Sequence, residues 1–411
     1  MIQNQEKILP SFDDKAFTQT DADLECNGLK GAAAALFLWR LYCREPRPML
    51  ILAADSRQAE TLWYDLLFFR NDAAVPVLFF PPYNILPYKV LAYHNETAAR
   101  RMRVLYTLLE APQAPIVITT IGAFLKRIIP RSEVAGYAEL LMIGEDLDRS
   151  RLVEKLIDGG YTHSHIVEEP GDFSVRGGIL DIFCPLYDNP LRVEQFGDTI
   201  ESLRYFSADN QRRLDEVEEA IVCPAREAIL PGNRLAEIIS RIRLQANEQQ
   251  LPKHETRRLI NGIKEERRFP GIESLMPLIY PDQGQLLDFL PRNALVVEIE
   301  PGDLEKAAED GFQKAEQLYA AACEEEKLCI APAQLFLSWQ EASEALGMRQ
   351  CIWLRDLPVT RIDFANQAGP QTMTFDVQDI DAHASTMAGG ETSKAPARFQ
   401  TLANWLKDQL A

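Results

Sequence analysis

Gly28-Leu29-Lys30-Gly31-Ala32-Ala33-Ala34-Ala35 has the length of a phosphate-binding loop and opens a helical run, Ala32–Tyr42. A nucleotide-cleaving loop, G-x-x-x-x-G-K-[ST], cradles phosphate on its backbone N–H groups. Its Lys reaches the β and γ oxygens, and its Ser or Thr holds Mg²⁺. Here the last three positions are Ala33, Ala34 and Ala35. The cation and the metal ligand are both replaced, leaving a helix N-terminus with its weak positive end. The nearby lysine, Lys30, lies inside the loop. The spacing therefore predicts a strand-to-helix turn shaped by Gly28 and Gly31, with Ala32–Ala35 permitting close packing.

A motor of this class also needs an acidic pair after a buried strand, to hold Mg²⁺ and position water. The candidate is "LVVEIEPGD", Leu295–Asp303, which reads Glu298-Ile299-Glu300-Pro301 where a helicase would carry Asp-Glu directly after the apolar run. In a strand Glu298 and Glu300 share one face. A divergent nucleotide hydrolase using Lys30 with Glu298 and Glu300 is thus one reading. His163 and His165, with Glu168 and Glu169 close by, share a strand face but lack a third ligand at tested spacing, which favours a surface or core role. No Ser/His/Asp arrangement, zinc spacing or dinucleotide fingerprint stands out.

Arginine and aromatic residues are arranged differently between Val167 and Glu227. If Leu191–Phe196 is a strand, Leu191, Val193 and Gln195 point one way and Arg192, Glu194 and Phe196 the other. In the strand before it, Phe173 and Val175 oppose Ser174 and Arg176. Arginines and an aromatic on a polar face are what protein-binding hot spots are made of. The other reading turns Phe196 inward against a helix at 148–158 and leaves the arginines solvated.

The elements that must position these groups fall into segments. Strand and helix patterns alternate from about 20 to 135: Met49–Ala53, Ser56–Phe69 capped by Ser56, Val77–Phe80, Thr97–Leu109 and Ile116–Ile121. That alternation predicts an α/β fold, a parallel sheet covered by helices. From about 138 to 224 the texture changes to a helix, Asp148–Asp158, and short strands at Ile166–Val167, Phe173–Arg176, Ile179–Phe183, Leu191–Phe196 and Ile200–Phe206, split by Gly, Asn and Pro turns. This predicts a small α+β domain inserted into the first. Helices dominate 225–350, with Ala294–Ile299 as a buried strand able to rejoin the first sheet. The expected domains are 1–137 and 225–350 for the sheet, 138–224 for the insert, and 351–411 for the start of a further small domain. The last contains a linker at 381–397 and an amphipathic helix at 398–410.

Bulk numbers narrow the function classes. A chain of 411 residues holds two to four domains. The net charge of −18 argues against a free-standing duplex binder, because counterion release drives that affinity. The basic clusters at 99–103 and Lys253–Arg268 read as solvated helix faces. Seven cysteines without C-x-x-C spacing fit reduced thiols, and no apolar run reaches the ~18 residues of a membrane span. With no signal-peptide core at the N-terminus, a cytoplasmic protein without membrane contact is expected.

"EEPGDFSVRGGILDIF" followed by "RVEQFGDTIESLRYFSADNQRR" resembles the UvrB-homology module of bacterial transcription-repair coupling factors. The likeness extends more weakly over 20–350, through "FPPYNILPY", "PGIESLMPLIYP" and "FLPRNALVV" in order. It implies a degenerate P-loop, helicase-like first domain whose loop is lost. It also implies a small insert that docks the damage-recognition protein UvrA, with contact residues falling on Arg176, Arg192 and Phe196. Tyr83–Arg103 looks too short for the DNA-clamping hairpin of UvrB. On this resemblance the chain is an N-terminal module with no catalysis and no cofactor. ATP and Mg²⁺ belong to a translocase part of the family, and RNA polymerase and DNA are met through domains outside this chain. The same face could instead be masked by a C-terminal part of a longer parent.

Overall fold

The apolar runs of the sequence pair as strands in the computed structural model, which describes residues 23–71, 74–83, 88, 95–110, 113–267, 271–357 and 370–375. In chain order the strands are β1 (Leu24–Asn27), β2 (Met49–Ala53), β3 (Val77–Phe80), β4 (Ile116–Thr120) and β5 (Glu139–Met142). Next come β6 (Thr162–His163), β7 (Asp172–Arg176), β8 (Ile179–Ile182), β9 (Leu191–Phe196) and β10 (Thr199–Phe206). The last are β11 (Arg213–Val217), β12 (Glu219–Val222), β13 (Leu295–Ile299), β14 (Cys351–Arg355) and β15 (Gln371–Thr374).

Seven of them form one parallel sheet in the order β15-β1-β14-β13-β2-β4-β3. Every residue of β2 and β4 is buried, because helices cover both faces and leave no solvated side for polar alternation. Met49, Ile51 and Ala53 pack with Phe37, Leu38 and Leu66 of helices Ala32–Arg44 and Ser56–Arg70. Leu50 and Leu52 face the opposite layer, with Met102 and Leu105 of helix Asn95–Glu110 and Leu304 of helix Pro301–Glu324. The expected α/β architecture is therefore present, and β13 rejoins the sheet between β14 and β2. Residues 351–355 and 371–374, set apart above as the start of a further domain, pair into this same sheet. The linker at 381–397 and the helix at 398–410 lie outside the described residues.

A second, six-stranded sheet runs β11-β10-β9-β8-β7-β6, antiparallel except for the β6–β7 pair. Its buried face, with Phe173, Leu180, Val193 and Leu203, packs with Leu152 and Leu156 of helix Arg149–Asp158. Ile166–Val167 is not a strand; the short strand before β7 is Thr162–His163. Val167 instead fills a small apolar cluster with Phe183 and Phe206, while Ile166 is exposed. Ser56 is the first helical residue rather than the cap, because the Asp55 carboxylate accepts the Gln58 N–H at 2.9 Å.

Helix Asn95–Glu110 fastens this sheet to the first, and here the basic cluster at 99–103 departs from the sequence reading. Arg101 is fully buried, not solvated. Its Nε lies 2.6 Å from Glu227 Oε1, its Nη1 donates to Pro81 O at 2.8 Å, and its guanidinium lies 4.0 Å from the Phe80 ring centroid. Arg103 donates to Pro185 O at 2.6 Å and pairs with Asp188 at 2.8 Å. Asn95 donates to Glu169 at 3.0 Å and accepts from Arg226 at 2.5 Å. Arg101, Arg103 and Asn95 thus serve docking, while Arg100 stays at the surface and pairs with Glu96 of the same helix.

Candidate functional site

The Gly28–Ala35 turn forms as its glycines require. Gly28 and Gly31 have φ of +87° and +53°, where a Cβ is strained, and Gly31 caps helix Ala32–Arg44. The Gly28 N–H donates to Arg355 O and the Phe375 N–H to Asn27 O, both at 2.8 Å. A Cβ on Gly28 would stand 2.2 Å from Phe375 O. Phe375, the residue after β15, therefore closes over Gly28, a packing role the spacing did not reveal. Lys30 is exposed and Ala35 buried.

Glu298 and Glu300 do not share a strand face. Glu298 is buried within β13, where burial pushes its carboxyl above the ordinary range against a hydrogen bond from Trp353. Glu300 has left the strand with φ +49°, caps helix Pro301–Glu324 and accepts the Asp356 N–H. The proline that follows ends the extended run early and starts the helix. His163, His165, Glu168 and Glu169 are exposed, and the His163 ring lies 5.1 Å from that of Phe173. Among the described residues no three His, Cys, Asp or Glu side chains gather into a metal site.

The outer face of the second sheet is where the singled-out residues meet. In β9, Leu191 and Val193 are buried, Arg192 and Glu194 partly so, and Phe196 is 82% exposed. Phe196 does not turn in against helix Arg149–Asp158; the strand period carries it to the outer face. It ends β9 opposite Thr199, at a turn whose Gly197 has φ +68°.

Register brings the two arginines together. Asp181 of β8 lies opposite Arg192 of β9, and Arg176 of β7 opposite Ile179 of β8. Arg192 reaches Asp181 with Nε at 2.6 Å and Nη2 at 2.8 Å, a bidentate fork, and Arg176 Nη2 reaches the same carboxylate at 2.7 Å. The Asp181 side chain is only 1% exposed, against 18% for Arg192 and 52% for Arg176. One buried carboxylate thus orients two guanidinium groups and leaves one positive charge in excess at the surface. The Arg192 guanidinium also lies 4.6 Å from the Phe206 ring centroid.

A second pair continues the face: Glu194 accepts from Ser202 at 2.9 Å and from Arg204. Gly178 allows β8 to start this close to β9, since a Cβ there would stand 2.8 Å from Gln195 O. The sequence reading found Arg176, Arg192 and Phe196 but passed over Asp181. Its signal was an acidic residue between apolar neighbours in "GILDIF", a position that needs a cationic partner when buried.

Comparison with known proteins follows the same division of the chain. Residues 140–227 match the family model of the UvrB interaction domain. The transcription-repair-coupling factor of Myxococcus xanthus is 32% identical over 328 residues, covering 78% of this chain and 27% of that protein. Those of Bacillus subtilis and Escherichia coli are 27% and 30% identical, covering 76% and 68% of this chain and 27% and 24% of theirs. The chain spans about a quarter of the length of these curated relatives. It is thus related to the transcription-repair-coupling factors over most of its length, and its second sheet lies within the residues that match the UvrB interaction domain model.

Proposed function

We propose that this relative of the transcription-repair-coupling factors is a docking module that captures UvrA on the outer face of its second sheet. Arg176, Arg192 and Phe196 are the contact residues. The observation that carries the reading is a large exposed aromatic, Phe196, on the same sheet face as two arginines fixed by one buried carboxylate. Phe196 offers an apolar anchor that must be desolvated by a partner, and the arginines are held in place before any partner arrives, which lowers the entropy lost on binding. In this reading the chain uses no nucleotide or metal of its own. The Gly28–Ala35 turn is a packing element, and coupling to a stalled transcription complex depends on parts of a longer protein.

The test is binding of the purified chain to immobilised UvrA, with wild type beside Phe196→Ala and the double variant Arg176→Ala/Arg192→Ala. A hot-spot residue costs about 2 kcal/mol, roughly a 30-fold loss of affinity. Wild-type affinity in both variants would overturn the assignment of this face. Magnesium-dependent nucleotide hydrolysis that Glu298→Gln abolishes would instead favour the hydrolase reading.

A further inference from the structure

Two of the seven cysteines, 39 positions apart, meet inside the second domain. Cys184 follows β8 and Cys223 follows β12; both side chains are buried, with their sulfurs 3.8 Å apart. The Cys223 N–H points at the Cys184 sulfur from 3.5 Å, and the Cys223 thiol faces Pro224 O at 3.5 Å. Tyr161 donates its hydroxyl to Cys223 O at 2.6 Å and holds this backbone in place. Cys223 also lines a cleft whose walls include Tyr137, Glu139, Lys155 and Tyr161.

We propose that Cys184 and Cys223 form a redox-active dithiol that closes to a disulfide when it meets a peroxide. Closure requires the sulfurs to move from contact to the bond length of about 2.05 Å, within reach of side-chain rotation when the backbone of one cysteine already lies beside the sulfur of the other. The two thiols differ. Burial alone would raise Cys184, but hydrogen bonds from the Cys223 thiol and from backbone N–H groups hold it below the ordinary thiol range, while burial pushes Cys223 well above it. A thiolate beside a retained thiol is the division that a nucleophile and its resolving partner need.

The step balances. The Cys184 thiolate attacks one peroxide oxygen, the O–O bond breaks, and the leaving hydroxide takes up the proton that Cys184 had released, forming water. Cys223 then attacks the sulfenic sulfur of Cys184, and the hydroxyl departs with the Cys223 proton as a second water. Two thiols are oxidised to one disulfide and one peroxide is reduced to two waters. The bond ties the end of β8 to the end of β12, and the segment between carries β9 to β11, hence Arg192 and Phe196. Oxidation thus clamps both ends of the segment that bears the exposed aromatic.

The full chain, reduced and then treated with hydrogen peroxide, is blocked with iodoacetamide, digested and weighed. The expected product joins the Cys184 and Cys223 peptides with loss of two hydrogens, is reversed by dithiothreitol, and unfolds at a higher temperature than the reduced chain. Cys184→Ser and Cys223→Ser each abolish the linked peptide and the thermal shift. Recovery of both cysteines as separately alkylated thiols from peroxide-treated wild type would overturn the proposal, as would linkage of either one to a different cysteine. That measurement uses wild-type protein and does not depend on how either variant folds.

Discussion

Arg192 donates two hydrogen bonds to Asp181, at 2.6 and 2.8 Å, across the β8–β9 register. The carboxylate is buried and the guanidinium nearly so, so this pair is less screened than a surface ion pair. Arg176, half-exposed on the same carboxylate, gains less from it. Asp181→Ala leaves two guanidinium groups without their shared acceptor. It is expected to destabilise the chain by about 2 kcal/mol and to weaken UvrA capture by freeing both arginines. Urea unfolding and binding measured on the same protein check this. Asp181→Ala with unchanged stability would mean that water replaces the carboxylate without cost.

Phe196 is the counterpart case. At 82% exposed it contributes little to folding, and Phe196→Ala is expected to change stability by less than about 0.5 kcal/mol. The same substitution is expected to remove most of the affinity for UvrA. A thermal melt beside a binding isotherm separates the two effects, and a large fall in melting temperature would show that Phe196 is structural after all.

Much of this face is legible in the sequence because a strand has a period of two: with Leu191–Phe196 as a strand, Arg192 and Phe196 share a face. Asp181 was not legible, because its value comes from the cross-strand register, and no local pattern states which β8 residue lies opposite Arg192. Arg101 was hidden for a related reason. A run of arginines on a helix looks solvated until its acceptor is found, and Glu227 lies 126 positions away. The pairing of Glu298 with Glu300 fails because the strand ends at Ile299 and Pro301 starts a helix two residues later. Gly28 and Gly31 shape the Gly28–Ala35 turn as their spacing implies, but Phe375, which covers Gly28, comes from far along the chain.

The Arg101–Glu227 pair predicts acid sensitivity. Burial by itself would raise the Glu227 carboxyl, but Arg101, Lys126 and Tyr83 hold it below the ordinary glutamate value. A folded-state value below the unfolded one stabilises the fold above the unfolded range, near pH 4.3. That stabilisation drains away as pH falls through the folded value. Glu227→Gln should cost about 3 kcal/mol at neutral pH, because Arg101 stays buried without a counter-charge. It should also flatten the loss of stability between about pH 5 and the folded value. Unfolding midpoints measured across that window check both expectations, and an unchanged acid slope would exclude Glu227 as its source.

The Gly28–Ala35 turn can be tested by separating backbone strain from contact. Gly31 has φ +53° and nothing within 4 Å of an added Cβ, so Gly31→Ala should cost only the conformational strain, about 1 kcal/mol. Gly28 has φ +87°, and its added Cβ would stand 2.2 Å from the Phe375 carbonyl oxygen, a backbone atom that cannot rotate aside. Gly28→Ala must push β15 away from β1 as well as strain the turn, and should cost about 3 kcal/mol. The gap between the two variants measures how firmly β15 is seated. If Phe375 covers the turn as described, Gly28→Ala will also speed amide exchange at the Phe375 N–H, which is bonded to Asn27 O, while Gly31→Ala will not. Equal costs and equal exchange would mean that the glycines serve the turn alone and that β15 contributes nothing to holding it closed.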